Sequence, residues 1–208
     1  MGIPVMIMGE SGSGKSYSIR NMNPDTVGIF NVSNKLLPFR GAARFKQVKG
    51  ANANYTTIEK TILRGKLKRY VIDDSQYLMA FEAFSKANEV GYGKFTNMAV
   101  NFYNLVQAAI AAPDDTITYF LHHVEQNDVG KIKAKTLGKM LDNQLTLEGL
   151  FGIVLLCKAD GTRHYFETQS DGYTTAKSPA EMFDMTIDND LQMVDTKIRE
   201  YYEMEAVQ

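Results

Sequence analysis

The eight residues Gly9-Glu10-Ser11-Gly12-Ser13-Gly14-Lys15-Ser16 constrain this chain more than any other stretch. They match G-x-x-x-x-G-K-[ST] (the Walker A pattern) at every required place. The apolar run 3–8 before them suits a buried strand, and 15–22 reads as a helix stopped near Asn23-Pro24-Asp25. The spacing has a physical reason. Glycines let successive backbone N–H groups turn inward around an anion, at the positive end of the following helix. Lys15 adds a point charge that reaches β- and γ-phosphates, and the Ser16 hydroxyl can ligate Mg²⁺. A glycine-rich turn capping a helix is the plainer explanation, but glycines at 12 and 14 are hard to explain as packing. Residues 9–16 and the following Tyr17 are therefore the expected nucleotide contacts.

Apolar stretches elsewhere alternate between strand-like and helix-like lengths, the pattern of a mostly parallel α/β sheet covered on both faces. Further strands are expected at 27–32, 69–72, 116–121 and 150–157, and helices at 56–63, 76–88, 96–112 and 137–145, with Gly65 as a C-cap. Residues 33–54 read as an irregular basic stretch and 126–136 as a polar loop. Asp160-Gly161 is a hairpin signal leading into an alternating strand at 162–169, and a second Asp-Gly at 171–172 turns the chain toward 173–177. No repeat or linker divides residues 1–208, so one domain with an acidic helical tail from about 188 is expected.

A phosphate loop needs a carboxylate near its magnesium, and Tyr70-Val71-Ile72-Asp73-Asp74 ends an apolar strand in two acids. Asp73 is expected to hold the metal with Ser16. Asp74, pointing the other way, either orients or deprotonates an attacking water or caps the helix that begins near Gln76. The fourth strand ends in His122-His123. Strand residues alternate faces, so one of the pair faces the phosphate, and His123 is the expected γ-phosphate sensor; a partly exposed strand-end residue is the alternative. Two adjacent histidines and a distant Cys157 make no recognisable zinc set.

The one cysteine excludes an intramolecular disulfide. The best uncharged apolar run, 150–157, has eight residues, and no basic region precedes 3–8. A soluble protein of a reducing, cytoplasmic compartment with no membrane partner is the consistent expectation. Net charge is −1, but it is unevenly spread: 34–69 carries ten basic residues against Glu59 alone, whereas 180–208 carries eight acids against two bases. That separation suggests a polyanion-facing surface or complementary faces in an assembly, with a solvated face as the bland alternative.

Taken in order, the glycine loop, the double-aspartate strand, the strand ending FLHHVE (120–125), the segments TLGKMLDNQLTLEGLF (136–151) and TTAKSPAEMF (174–183) resemble the RecA-like recombination ATPases. The likeness is nearest to the small single-domain Sak-type ATPases that bacteriophages carry, which are linked to single-strand annealing. The resemblance implies a twisted sheet of strand order 5-1-4-3-2 with a C-terminal β-hairpin, ATP and Mg²⁺ as cofactors, and homo-oligomeric rings or filaments in the host cytoplasm. It also implies single-stranded DNA as a partner, beside an annealing or single-strand-binding protein. By that likeness, the loop 126–140 contacts DNA through Lys131, Lys133, Lys135 and Lys139, and Lys177 reaches a neighbour's ATP site in trans. Such lysines would neutralise phosphates without reading bases. One departure stands out. The family's water-activating glutamate after the second strand is replaced by Asn31-Val32-Ser33-Asn34. Either Asp74 or Glu10 takes over, or hydrolysis is slow and ATP acts as an assembly switch. A small-molecule kinase and an ATP-switched loader or scaffold are the other readings. Tyr92 and Phe95 are candidates for base stacking, with core anchoring as the alternative.

Overall fold

In the computed structural model, which describes residues 1–91, 93–137, 141 and 145–205, β1 (Ile3–Gly9) runs through the middle of the sheet. Val5, Met6, Ile7 and Met8 are fully buried, as a strand covered on both faces requires. On one side β1 pairs with β5 (Ile117–Gln126), which is followed outward by β4 (Arg69–Asp73), β2 (Val27–Asn31) and the edge strand β3 (Gln47–Lys49). On the other side lie β7 (Ile153–Asp160), β8 (Arg163–Glu167) and the second edge, β9 (Thr186–Asp188). Strands β1 to β5 and β7 pair in parallel; β8 and β9 add antiparallel. The architecture is thus α/β, with a mostly parallel mixed sheet.

Alternation along β1 divides the core. Met6 and Met8 face α1 (Tyr55–Arg64), α2 (Gln76–Ser85) and α3 (Gly93–Ile110), packing with Phe30, Ile72, Phe102 and Phe120. Val5 and Ile7 face α4 (Leu191–Tyr201) and the short helix Ser16–Asn21, packing with Ile19, Val71, Val194 and Ile198. Each such fully buried aliphatic side chain stabilises the fold by roughly 1.5–3 kcal/mol. Asn54 caps α1 by accepting from the Thr57 N–H, and Gly65 ends it in the left-handed conformation, φ 58°.

Several segments differ from the sequence expectation. The helix expected over 15–22 is a 3₁₀ helix of six residues, Ser16–Asn21, so it offers little dipole to an anion. The irregular basic stretch contains β3, which forms only by pairing with β2. The polar loop is largely a hairpin: β5 extends to Gln126, turns through Asn127 to Gly130, and returns as β6 (Ile132–Ala134) on β5. Residues 173–177 form isolated bridges, Thr174 to Ile132 and Lys177 to Val154, rather than a strand. The expected helix 137–145 lies mostly outside the described residues, as does Tyr92. Among the described residues, no helix is long and apolar enough to cross a membrane.

The acidic tail is a packed element. Leu191, Val194, Asp195, Ile198 and Arg199 form its inward stripe. The fully buried Asp195 accepts from Arg69 Nε at 2.7 Å, Arg199 Nε at 2.8 Å and the Tyr119 hydroxyl at 2.9 Å. Arg69 and Asp195 belong to the basic and acidic stretches of the sequence, so part of that charge separation is closed inside the molecule.

Candidate functional site

β1 delivers Gly9 between the ends of β5 and β7, opposite His123 and Cys157. The chain then folds back so tightly that a Cβ on Gly9 would meet Ser13 Oγ at 2.6 Å and the Cys157 carbonyl at 2.7 Å. Gly12 and Gly14 take φ of 82° and 105°, which a side chain would resist. Lys15 is buried and donates from Nζ to the carbonyls of Gly9 and Glu10, both at 2.8 Å. Burial holds its ammonium below the ordinary lysine range, against the opposing pull of Asp74 and Asp73.

The loop is braced from behind. Cys157 Sγ and His164 Nδ1 both donate to the Ser13 carbonyl, at 3.1 and 2.8 Å. Asn189, just before α4, donates its amide to the Gly14 carbonyl and to Cys157 Sγ, each at 3.2 Å. Burial pushes the Cys157 thiol up to about 11, so it serves here as a hydrogen-bond donor rather than a nucleophile. Ser13 Oγ is buried without a hydrogen-bond partner.

In front of the loop lies a cleft of about 590 Å³ that brings together Lys15, Ser16, Tyr17, Asp73, Asp74 and His123. Ser16 Oγ donates to Asp73 Oδ1 at 2.6 Å. Burial and the neighbouring Asp74 charge push the Asp73 carboxyl up to about 6, while the Ser16 hydrogen bond and Lys15 pull it back. A hydroxyl and one carboxylate at this spacing suit Mg²⁺, which keeps several waters and takes its remaining ligands from a substrate's phosphates. Among the described residues, no group of three or more His, Cys, Asp or Glu could hold a metal by itself.

Asp74 adopts a left-handed backbone, φ 59°, an uncommon state for a non-glycine residue. Its carboxylate accepts from His123 Nε2 at 3.1 Å and from Lys35 Nζ at 3.3 Å. Burial opposes the charge, but His123 and Lys35 outweigh it and hold Asp74 well below the usual carboxylate range. The nearby Ser33 hydroxyl adds to that pull, although its Oγ meets no partner in hydrogen-bond geometry. The N-cap position of α2 belongs to Ser75, so Asp74 is not the cap. His123 stands edge-on to Tyr77, ring centres 5.4 Å apart. His122 points the other way into the core. It donates from Nε2 to the Lys135 carbonyl at 2.8 Å, its Nδ1 lies 2.9 Å from Ser75 Oγ, and burial lowers its pKa to about 4.

Other expected residues stand apart. Glu10 is exposed, with its carbonyl rather than its carboxylate engaged by Lys15. Lys177 is half-buried outside the cleft, its backbone paired with Val154. Lys131, Lys133 and Lys135 ride on or beside β6, and Lys133 pairs with Glu125 at 3.2 Å. Lys139 lies outside the described residues. Five cleft residues escaped the sequence reading: Lys35, Leu36 and Pro38, from the basic stretch, and Thr162 and His164, the latter set opposite Ala159 by the hairpin register. In comparisons with known proteins, no family model and no curated protein matches this chain.

Proposed function

We propose that the chain binds ATP with magnesium and hydrolyses it, as a RecA-like ATPase that assembles on single-stranded DNA. One observation carries the reading: the buried Lys15 and the Ser16–Asp73 pair meet at the mouth of a glycine-built loop. Counting the five long parallel strands along the chain, their spatial order is fifth, first, fourth, third, second, which supports the RecA-like core. Inward N–H groups of the loop and Lys15 would hold the phosphates; Ser16 and Asp73 would hold Mg²⁺. When bound, the metal would neutralise charge on the phosphate oxygens. Asp74 and His123, joined at 3.1 Å, would orient the attacking water. Lysines of the β5–β6 hairpin would meet DNA phosphates, and Lys177, outside its own chain's cleft, would act on a neighbour.

The test is nucleotide affinity and ATP turnover, with and without single-stranded DNA at low salt, for the wild type and Lys15→Ala. The variant should lose at least tenfold in affinity, the scale of a charge-assisted phosphate contact. Equal behaviour of the two proteins would refute the reading. The ion pair that holds Asp74 against Lys35 favours one second reading, an ATP-controlled loader or scaffold with slow chemistry. It would bind nucleotide tightly and change mass with it, at negligible turnover.

A further inference from the structure

Building on the triphosphate reading, we propose that Lys35 is the chain's own γ-phosphate cation, exchanging Asp74 for the third phosphate when a nucleoside triphosphate fills the cleft. Lys35 lines the same cleft as Lys15, Ser16, Asp73 and His123. Its main chain is pinned. The fully buried Asn31, at the end of β2, donates its amide to the Lys35 carbonyl at 2.6 Å and to Gln47 Oε1 at 2.9 Å. Asn34, in the left-handed region at φ 57°, closes the turn by donating its N–H to the Asn31 carbonyl at 3.3 Å. Asparagine is among the few residues that accept this backbone state.

The side chain, by contrast, is loosely held. It is 63% exposed, reaches Asp74 at 3.3 Å and stands 5.0 Å from the Tyr77 ring centre. Asp74 is only 10% exposed and keeps His123, so the water-facing ammonium is the member of the pair free to turn to a partner of higher charge density. A terminal phosphate is such a partner, and Asp74 would keep its bond to His123 after the exchange. Lys15 lies buried against the loop carbonyls, whereas Lys35 approaches from the segment after β2, so the two cations enter the cleft from separate elements.

In hydrolysis, the water oxygen bonds to the γ-phosphorus. The bond from that phosphorus to the β–γ bridging oxygen breaks, its electron pair leaves with ADP, and the water's proton passes to solvent. Lys35 exchanges no proton and stabilises charge on the γ-oxygens.

The experiment compares dissociation constants for ADP and a non-hydrolysable ATP analogue, with magnesium, in the wild type, Lys35→Ala and Lys35→Arg. Wild type should prefer the triphosphate. Lys35→Ala should lose about tenfold in triphosphate affinity with ADP binding within about twofold, and Lys35→Arg should keep most of the preference. Matching melting curves would exclude unfolding of Lys35→Ala. If both affinities fall together, Lys35 merely tethers its segment, and the proposal fails. It fails equally if neither affinity moves or if wild type does not distinguish the nucleotides. Absence of nucleotide binding by wild type would sink the underlying triphosphate reading, and this proposal with it.

Discussion

Replacing Asp195 by alanine tests how the carboxyl-terminal helix is held. In the native protein this carboxylate is fully buried and shared by Arg69, Arg199 and the Tyr119 hydroxyl, at 2.7 to 2.9 Å. The guanidiniums are themselves 3% and 5% exposed, so neither can turn to water when the carboxylate goes. Removing one member of a buried, hydrogen-bonded ion group costs about 3–5 kcal/mol, a large part of the 5–15 kcal/mol that stabilises a typical domain. At this chain length each kcal/mol moves the melting temperature by roughly 2–4 °C, so Asp195→Ala should melt about 6–20 °C lower. Thermal and urea denaturation followed by circular dichroism read the loss. Lys197→Ala is the control: its pair with Glu200 is more than half exposed on both sides and should matter by less than about 0.5 kcal/mol. A joint Arg69→Met, Asp195→Leu replacement should lose less than Asp195→Ala, because it leaves one buried guanidinium, Arg199, without the carboxylate instead of two. The reasoning is refuted if Asp195→Ala stays within about 1 kcal/mol of wild type or if the control falls as far.

Acid stability and salt dependence give further checks. His122 is buried neutral, with its pKa lowered from 6.5 to about 4, so the unfolded chain binds the extra proton between those values. Its stabilising share, about 3 kcal/mol, is complete above pH 6.5 and is lost as pH falls toward 4. Urea titrations across that window should slope less steeply for His122→Asn than for wild type; parallel curves would contradict the assignment. For the hairpin, Lys131→Ala, Lys133→Ala and Lys135→Ala combined should flatten the dependence of log affinity for single-stranded DNA on log salt by about 2. An unaltered slope would count against the proposal that these lysines meet DNA.

The parts of the fold that could be read in the sequence share one property: their signal is local. A near-continuous apolar strand feeding a glycine loop announces β1 and the residues around Lys15, and Asp160-Gly161 announces the β7–β8 hairpin. Strands β3 and β9 carry no such signal. Gln-Val-Lys and Thr-Ile-Asp have three residues each and become strands only by pairing with β2 and β8. The stripe 191, 194, 195, 198, 199 was present in the tail's sequence, but Asp195 and Arg199 within it read as solvent-facing until Arg69 is placed beside them. The site divides in the same way. Ser16, Asp73 and Asp74 sit at motif positions, whereas Lys35 enters the cleft through a turn made by Asn31, Asn34 and Gln47, contacts that have no meaning before the chain is folded.

The two margins of the sheet limit how copies of this chain can meet. A three-residue strand rises only about 10 Å, so neither margin templates a strand from another molecule over a useful length. A ring or filament would therefore have to mate through helices and turns, side chain against side chain. Growth by backbone pairing, the route toward fibrous aggregation, has almost no ledge to start from.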